Sequence, residues 1–373
     1  MPKPYPSNSL GSQSSKIIRQ ELHDLSEKAL RDNPLLAHQD VIGFSILLGS
    51  IAAIAGCAWA YAQSLLPAWS VVVLVAFFMS LLHELEHDLI HRLYFRTSPW
   101  LYNTALFAVW VLRPNTISPW VRRDWHLHHH RASGFESDIE ERMLTNGEPW
   151  GIRRAFMSLD NMLSLILRPV TARRMQFSYA AAIDPAPAAQ ARIVKRNRLA
   201  ILPFSLFYFS AWYFYAGIHS VQLACAALHI QWQPSPFTLA IMPGLDFAAV
   251  TILIPNALRA FCLHYVSSNI HYYGDIEPRN IVQQTQVWNA AWLLPLQLFC
   301  FNFGSTHAIH HFAVQYPFYV RQLIARDAHK VMRRHGVRFN DFSSMRRANR
   351  WHSSPQQASS SVLNAPQLAQ SRH

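Results

Sequence analysis

At 373 residues the chain is long enough for two or three soluble domains of about 100–200 residues each, yet its hydrophobic residues (51%) gather in a few long blocks. That distribution excludes an ordinary soluble multidomain protein and favours one membrane domain with short polar ends. The net charge of +12 lies beside those blocks, which reads as basic loops on one membrane face; no nucleic-acid module is visible and no nucleic-acid partner is expected.

Residues 1–15 are rich in Ser, Pro and Asn and are expected to be disordered. The polar first 40 residues lack the apolar core of a cleavable signal peptide. Residues 16–36 carry Ile17, Ile18, Leu22 and Leu25 at helical spacing, predicting a short amphipathic helix. Four blocks then reach membrane-span length: Val41 to about Tyr61, Val71 to about Leu89, Leu199 to Ile218, and Phe237 to about Tyr265. The second runs into Glu84, Glu86 and Asp88, so its last turns are expected to leave the lipid. Two shorter apolar blocks, 100–112 and 290–303, read as interfacial or re-entrant segments. The last 20 or so residues, rich in Ser, Gln and Ala, read as an unstructured tail. Cys57, Cys225, Cys262 and Cys300 show no CxxC spacing, which argues against a disulfide framework or a cysteine zinc site.

The positive charges are distributed unevenly over this layout. Segments 62–70 and 219–236 hold no Lys or Arg, whereas the first 40 residues, the 92–198 segment and the chain beyond the fourth block hold almost all of them. Both ends and the large middle segment therefore belong on the cytoplasmic side, with two short loops outside. The expected fold is an all-α integral membrane protein: about four transmembrane helices, interfacial helices, and a cytoplasmic helical cap. A bacterial chain of this kind would sit in the inner membrane.

Twelve of the 20 histidines fall in four tight groups. His83, His87 and His91 stand at i, i+4 and i+8 and share one helical face. His126, His129 and His130 form an i, i+3, i+4 set, with His128 between them, and His307, His310 and His311 repeat that spacing. His264 and His271 flank the end of the fourth block. Each set can aim two or three imidazoles at one point, and imidazole is a good ligand for iron, zinc and copper. All four groups reach the same membrane face, and ionisable clusters at a membrane boundary point to function. The scattered histidines (His23, His38, His219, His229, His329, His335, His352, His373) read as ordinary polar residues.

The order HxxxH, HxxHH, HxxHH resembles the fatty acid desaturase and hydroxylase superfamily of membrane histidine-box enzymes, over roughly residues 40–330. His83-Glu84-Leu85-Glu86-His87 matches its first box, His126 to His130 the second, His307 to His311 the last, and His271-Tyr272-Tyr273-Gly274 its extra ligand histidine. The resemblance implies a non-haem di-iron centre held by His83, His87, His126, His129, His130, His271, His307, His310 and His311. His91, His128 and His264 stand as additional candidates. Acyl-CoA desaturases carry an Asn four residues before the extra histidine; Ser267 stands there in this chain, with Asn269 nearby. Glu84, Asp138, Asn269 and Asp275, with Glu140 and Glu141, are candidates to hydrogen-bond the ligand rings, although the carboxylates read equally well as solvated loop charges.

By the same resemblance, O₂ is the co-substrate and a fatty acid or fatty acyl chain the substrate, converted to an alkene, with an alcohol or a terminal alkene formed by decarboxylation as alternatives. The chain contains no iron–sulfur or rubredoxin spacing, so an external ferredoxin, rubredoxin or cytochrome is implied as electron donor, beside membrane lipid as a partner. Residues 1–40 are then a cytoplasmic segment, 41–330 the di-iron membrane domain, and 331–373 a basic cytoplasmic segment with a disordered tail. One rival reading remains. His83 to His87 is also a literal HExxH, the zinc protease signature, for which Asp246 is a weak third ligand.

Overall fold

A computed structural model describes residues 10–277 and 280–347, excluding the side chains of 10–12. The expected unstructured tail lies outside these residues, as does the start of the N-terminal segment.

The described chain is almost entirely helical. Helix α1 (Leu10–Asp32) begins inside the stretch read as disordered, so that expectation is corrected for residues 10–15: they form the first turns of a helix that is buried from Ser15 onward at Ile18, Leu22 and Ser26. Its Ile18 and Leu22 are fully buried against Ile309, Val320 and Ile324. Helices α2 (Gln39–Ala62) and α3 (Ala68–Ile90) form an antiparallel pair, and α4 (Pro99–Leu112) returns against α3. The interfacial block 100–112 is thus a helix too short to cross a bilayer.

The large middle segment is folded throughout. It contains α5 (Pro119–Ala132), α6 (Ile139–Arg142), α7 (Ile152–Leu159), α8 (Asn161–Leu167), α9 (Pro169–Ile183) and α10 (Pro187–Leu199). Helix α11 (Phe204–Ala227) follows α10 at a bend of 49°. Helices α12 (Pro236–Ala248) and α13 (Ile254–Ile270) form one 35-residue rod joined by a π-helical turn at Ala249–Leu253. Pro255 sits just past this turn and has no N–H to return to it, a recognised cause of such wide turns.

Among the described residues, three helices are long and apolar enough to cross a membrane: Gln39–Ala62, Ala68–Ile90 and Pro236–Ile270. A fourth exists if α10 and α11 are counted as one bent span. They cover the four blocks expected from the sequence, and the chain is a multi-pass membrane protein.

The remaining chain completes the cap. Helices α14 (Ile281–Gln284) and α15 (Leu294–Leu298) are short; α16 (Phe303–Phe312) is buried, and α17 (Phe318–Arg334) covers it. The block 290–303 is a 3₁₀ turn plus α15 rather than a continuous helix. Two short strands, β1 (Gln286–Val287) and β2 (Arg338–Phe339), pair in parallel and clasp the C-terminal part of the described chain to the cap.

Candidate metal centre

Four structural pieces carry the histidines inward. The end of α3 supplies His83 and His87, with His91 as its C-cap; α5 supplies His126, His129 and His130; the residue after α13 is His271; α16 supplies His307, His310 and His311. Every one of these rings is buried except His91 and His130, which are partly so. They gather into two groups of four, His87–His91–His126–His310 and His129–His271–His307–His311. Within each group the nearest ligand nitrogens lie within 4.8 Å of one another.

The Nε2 atoms face each other closely. In the first group His126 and His91 are 2.9 Å apart and His310 and His91 are 3.0 Å apart. In the second, His307 lies 3.1 Å from both His271 and His311, and His129 is 3.4 Å from His311. His130 Nε2 stands 3.1 Å from His126 and 3.0 Å from His310, at the edge of the first group. Two imidazole nitrogens bound to one metal at roughly 2.1 Å are about 3.0–3.4 Å apart in octahedral or tetrahedral geometry, which matches these separations.

For His126, His129 and His271 the opposite ring nitrogen explains why the facing atom carries a lone pair; His310 differs, because its Nδ1 accepts from Arg321 at 2.7 Å. His271 Nδ1 lies 2.9 Å from the Ser267 carbonyl, which can only accept, so Nδ1 donates and Nε2 is the nitrogen turned inward. Glu141 Oε2 stands 3.3 Å from the same Nδ1. His126 Nδ1 donates to Glu140 (2.7 Å) and His129 Nδ1 to Asp138 (2.9 Å). Buried lone pairs aimed at one another repel unless a cation lies between them. His87 lacks a hydrogen-bond partner on either ring nitrogen among the described residues, although its ring centroid is only 4.2 Å from that of His310. The donor set fits two metal ions held by imidazole nitrogens, with His126, His129 and His271 backed by a carboxylate or carbonyl and His310 by Arg321.

The electrostatics agree. Burial, reinforced by neighbouring imidazoles, holds His307, His310 and His311 well below the ordinary histidine range. Burial also lowers His126 against the pull of Glu140. All four shifts favour the neutral ring, the form that can bind a metal. His129 is the exception: burial opposes its protonation, but Asp138 together with Glu141 and Glu140 outweighs it and pushes the ring up to about 9. Burial opposes ionisation of Glu141, yet His271 and His129 bring it down to about 2.

The structure places the remaining candidates as follows. His83 joins neither group; its Nε2 is 3.1 Å from an Arg122 guanidinium nitrogen, and its Nδ1 3.4 Å from Glu84. His91, a secondary candidate from sequence, occupies the first group instead. The i, i+4 pairing is preserved but moved one turn along, to His87 and His91. His128 points away, 3.0 Å from Ser137 and edge-on to Tyr179. His264 is buried on α13 outside both groups. Asp138, with Glu140 and Glu141, supports the rings, whereas Glu84 faces Arg321 at 3.6 Å. Asn269 accepts from Arg154 (2.7 Å) and Asp275 is buried. Ser267 contributes twice, through its carbonyl to His271 and through its hydroxyl to Glu141 (2.8 Å). Asp246 lies beside His219 at 3.9 Å and belongs to neither group, and His83 and His87 do not share one, so the HExxH reading gains no third ligand.

The sequence pattern did not single out Arg321. This buried guanidinium sits 2.9 Å from Asp88 and 2.7 Å from His310 Nδ1, tying α17 to α3 and α16. Its signal was hidden because a lone Arg in a basic segment looks solvated.

A cavity of about 480 Å³ opens onto both groups, reaching His87 and His126 of one and His129 and His307 of the other. Ile117, Met143, Leu144, Leu165, Ile201 and Leu263 form much of its apolar wall. The family described as fatty acid desaturase matches residues 63–343, which span all of these elements from α3 to the last turn of the described chain. The chain belongs to the fatty acid desaturase family. Its members are generally di-iron oxidoreductases, and this member presents the histidine groups and the apolar cavity in one place. None of the curated proteins searched matches the chain.

Proposed function

We propose that the protein is an O₂-dependent di-iron membrane oxidoreductase that forms a double bond in a fatty acid or fatty acyl chain. The observation that carries this reading is the pair of four-histidine groups sharing one apolar cavity. Bound iron supplies the O₂-driven oxidation of an unactivated C–H bond. The protein's part is positional. His87, His91, His126 and His310 hold one ion, and His129, His271, His307 and His311 the other. Asp138, Glu140 and the Ser267 carbonyl keep protons on Nδ1 of their histidines, leaving Nε2 free to bind. The apolar wall seats an alkyl chain against the histidines and keeps bulk water away.

An external ferredoxin, rubredoxin or cytochrome supplies electrons. The concentration of Lys and Arg in the N-terminal segment, the 92–198 segment and the residues after α13 supports a cytoplasmic position for these parts and for both histidine groups. Box spacing supports desaturation over hydroxylation, because the alkane hydroxylases have a longer gap in the second box.

The test is to purify the chain in detergent, measure metals by mass spectrometry, and supply fatty acids of several lengths with O₂ and a ferredoxin reducing system. About two irons per chain and an O₂-dependent alkene that vanishes in His129→Ala support the reading. An alcohol or a terminal alkene redirects it to hydroxylation or decarboxylation at the same centre. Stoichiometric zinc without iron, and no O₂-dependent product, overturns it.

A further inference from the structure

We infer that Arg259 and His264, on one side of the cavity, form a binding site for the carboxylate of a free fatty acid, so that the substrate enters head-first and is neither a thioester nor a lipid ester. This rests on the proposed function, which supplies the alkyl chain, and adds the head group.

Arg259 is 1% exposed on a membrane-spanning helix and lines the cavity. A guanidinium carries five N–H donors. One bond is present, from Nη2 to Asn115 Oδ1 at 3.0 Å, and Asn115 is itself anchored through Nδ2 to the Asn256 carbonyl (3.1 Å). Nε and Nη1 have no hydrogen-bond partner among the described residues, and no carboxylate there forms an ion pair with Arg259. Five residues along α13, His264 lines the same cavity, is buried, and leaves Nδ1 without a partner among the described residues.

The neighbouring charges do not compensate. Arg113 and Arg122 also line the cavity, and both are taken up by the one carboxylate of Glu86, with Arg122 also 3.6 Å from Glu140. Glu140 in turn holds His126. Arg113 and Arg122 thus each have a carboxylate within ion-pair distance, and Arg259 among the described residues has none. A buried unpaired charge is strongly unfavourable, and ionisable groups inside membrane domains are functional as a rule. A carboxylate satisfies two parallel guanidinium donors in one plane, the geometry for which arginine is suited. Asn115 takes one of the two N–H groups of Nη2, so the other remains to form a parallel pair with the open Nε or the open Nη1.

The alternative is a head group held outside, at the exposed Arg173 and Arg198 beside the same cavity. Those side chains are solvated and have no unmet hydrogen-bonding need, so nothing about them calls for a ligand.

The experiment is equilibrium binding to the full-length, iron-containing protein in lipid nanodiscs, without reductant so that no turnover occurs. Radiolabelled dodecanoate is displaced by unlabelled dodecanoate, 1-dodecanol or dodecanoyl-CoA. Dodecanoate is expected to bind at least about tenfold more tightly than the alcohol, and the thioester to compete poorly. Arg259→Leu should abolish the acid-over-alcohol preference while keeping the alcohol's affinity, and Arg259→Lys should retain part of it. Arg173→Ala with Arg198→Ala should leave the preference in place. Equal affinity of acid and alcohol in the unaltered protein overturns the inference without needing any variant to fold. So does a preference that survives Arg259→Leu and is lost in the Arg173/Arg198 double variant. Metal content and O₂-dependent product are measured separately, so failure of the carboxylate site is distinguishable from failure of the oxidoreductase reading.

Discussion

Asp138 accepts a hydrogen bond from His129 Nδ1 at 2.9 Å, and its other oxygen caps the N-terminus of α6 at the Glu141 amide. One carboxylate therefore orients a ring and starts the helix that delivers Glu140 and Glu141. In the metal-free protein Asp138, helped by Glu141 and Glu140, raises His129 to about 9 against the larger single effect of burial. The folded value lies above the unfolded one of about 6.5, so its stabilisation is complete below that pH and is lost as pH rises through 9. His307, His310 and His311 shift the other way and cost stability as pH falls below about 6.5. Metal-stripped protein should melt highest near pH 6–7 and lose stability towards pH 9. Asp138→Asn should flatten the alkaline arm and weaken iron retention by about 10–100-fold. Thermal melts from pH 5 to 9.5, with iron titration, read both; an unchanged alkaline arm in the variant would contradict the assignment.

His91 and His83 compete for one role, and the geometry favours His91. Its Nε2 faces His126 and His310, whereas that of His83 faces the donor-only Arg122. His91→Ala should therefore lose about half of the bound iron, and His83→Ala should retain nearly all of it. Metal analysis of the two purified variants decides, and the reverse pattern would return His83 to the ligand set.

Arg321 is fully buried between Asp88 and His310. Removing one partner of a buried ion pair leaves the other uncompensated, at a cost of about 3–5 kcal/mol. Arg321→Met is expected to lower the unfolding temperature sharply and to reduce iron bound at the His310 group. A variant as stable as the parent would mean that Asp88 finds other partners; its bonds from the Phe318 amide (2.7 Å) and the Tyr94 hydroxyl (3.2 Å) are the available ones.

Gly134, just after the second histidine box, holds φ +82°. Its N–H donates to Asp138 (3.1 Å) and its carbonyl accepts from Gly274 (3.0 Å), joining the His129 turn to the segment after His271. A Cβ there would stand 2.7 Å from the Tyr272 carbonyl oxygen and collide with Ile276. Gly134→Ala should cost about 1–3 kcal/mol from strain and overpacking, with iron loss concentrated at the second group. Detergent melts and metal content measure it; wild-type values for both would show that the turn relaxes freely.

The sequence by itself determined the class of molecule and most of the metal chemistry. Long apolar blocks have few ways to satisfy their backbone in lipid other than as helices, and the i, i+3, i+4 spacing of His307, His310 and His311 places three rings on one helical face whatever lies around them. Only the tertiary structure decided which rings come together in one group. The choice between His83 and His91 depends on where α5 and α16 cross the end of α3, and both residues lie on the same face of that helix. It also decided that Asp138 and Glu140 are ring partners rather than solvated loop charges, because the return of the chain after α5 brings them back over it. The unpaired state of Arg259 belongs to this second kind: a charge is unsatisfied only relative to its surroundings, and those come from α3, α5 and the loop after α4, far away in sequence.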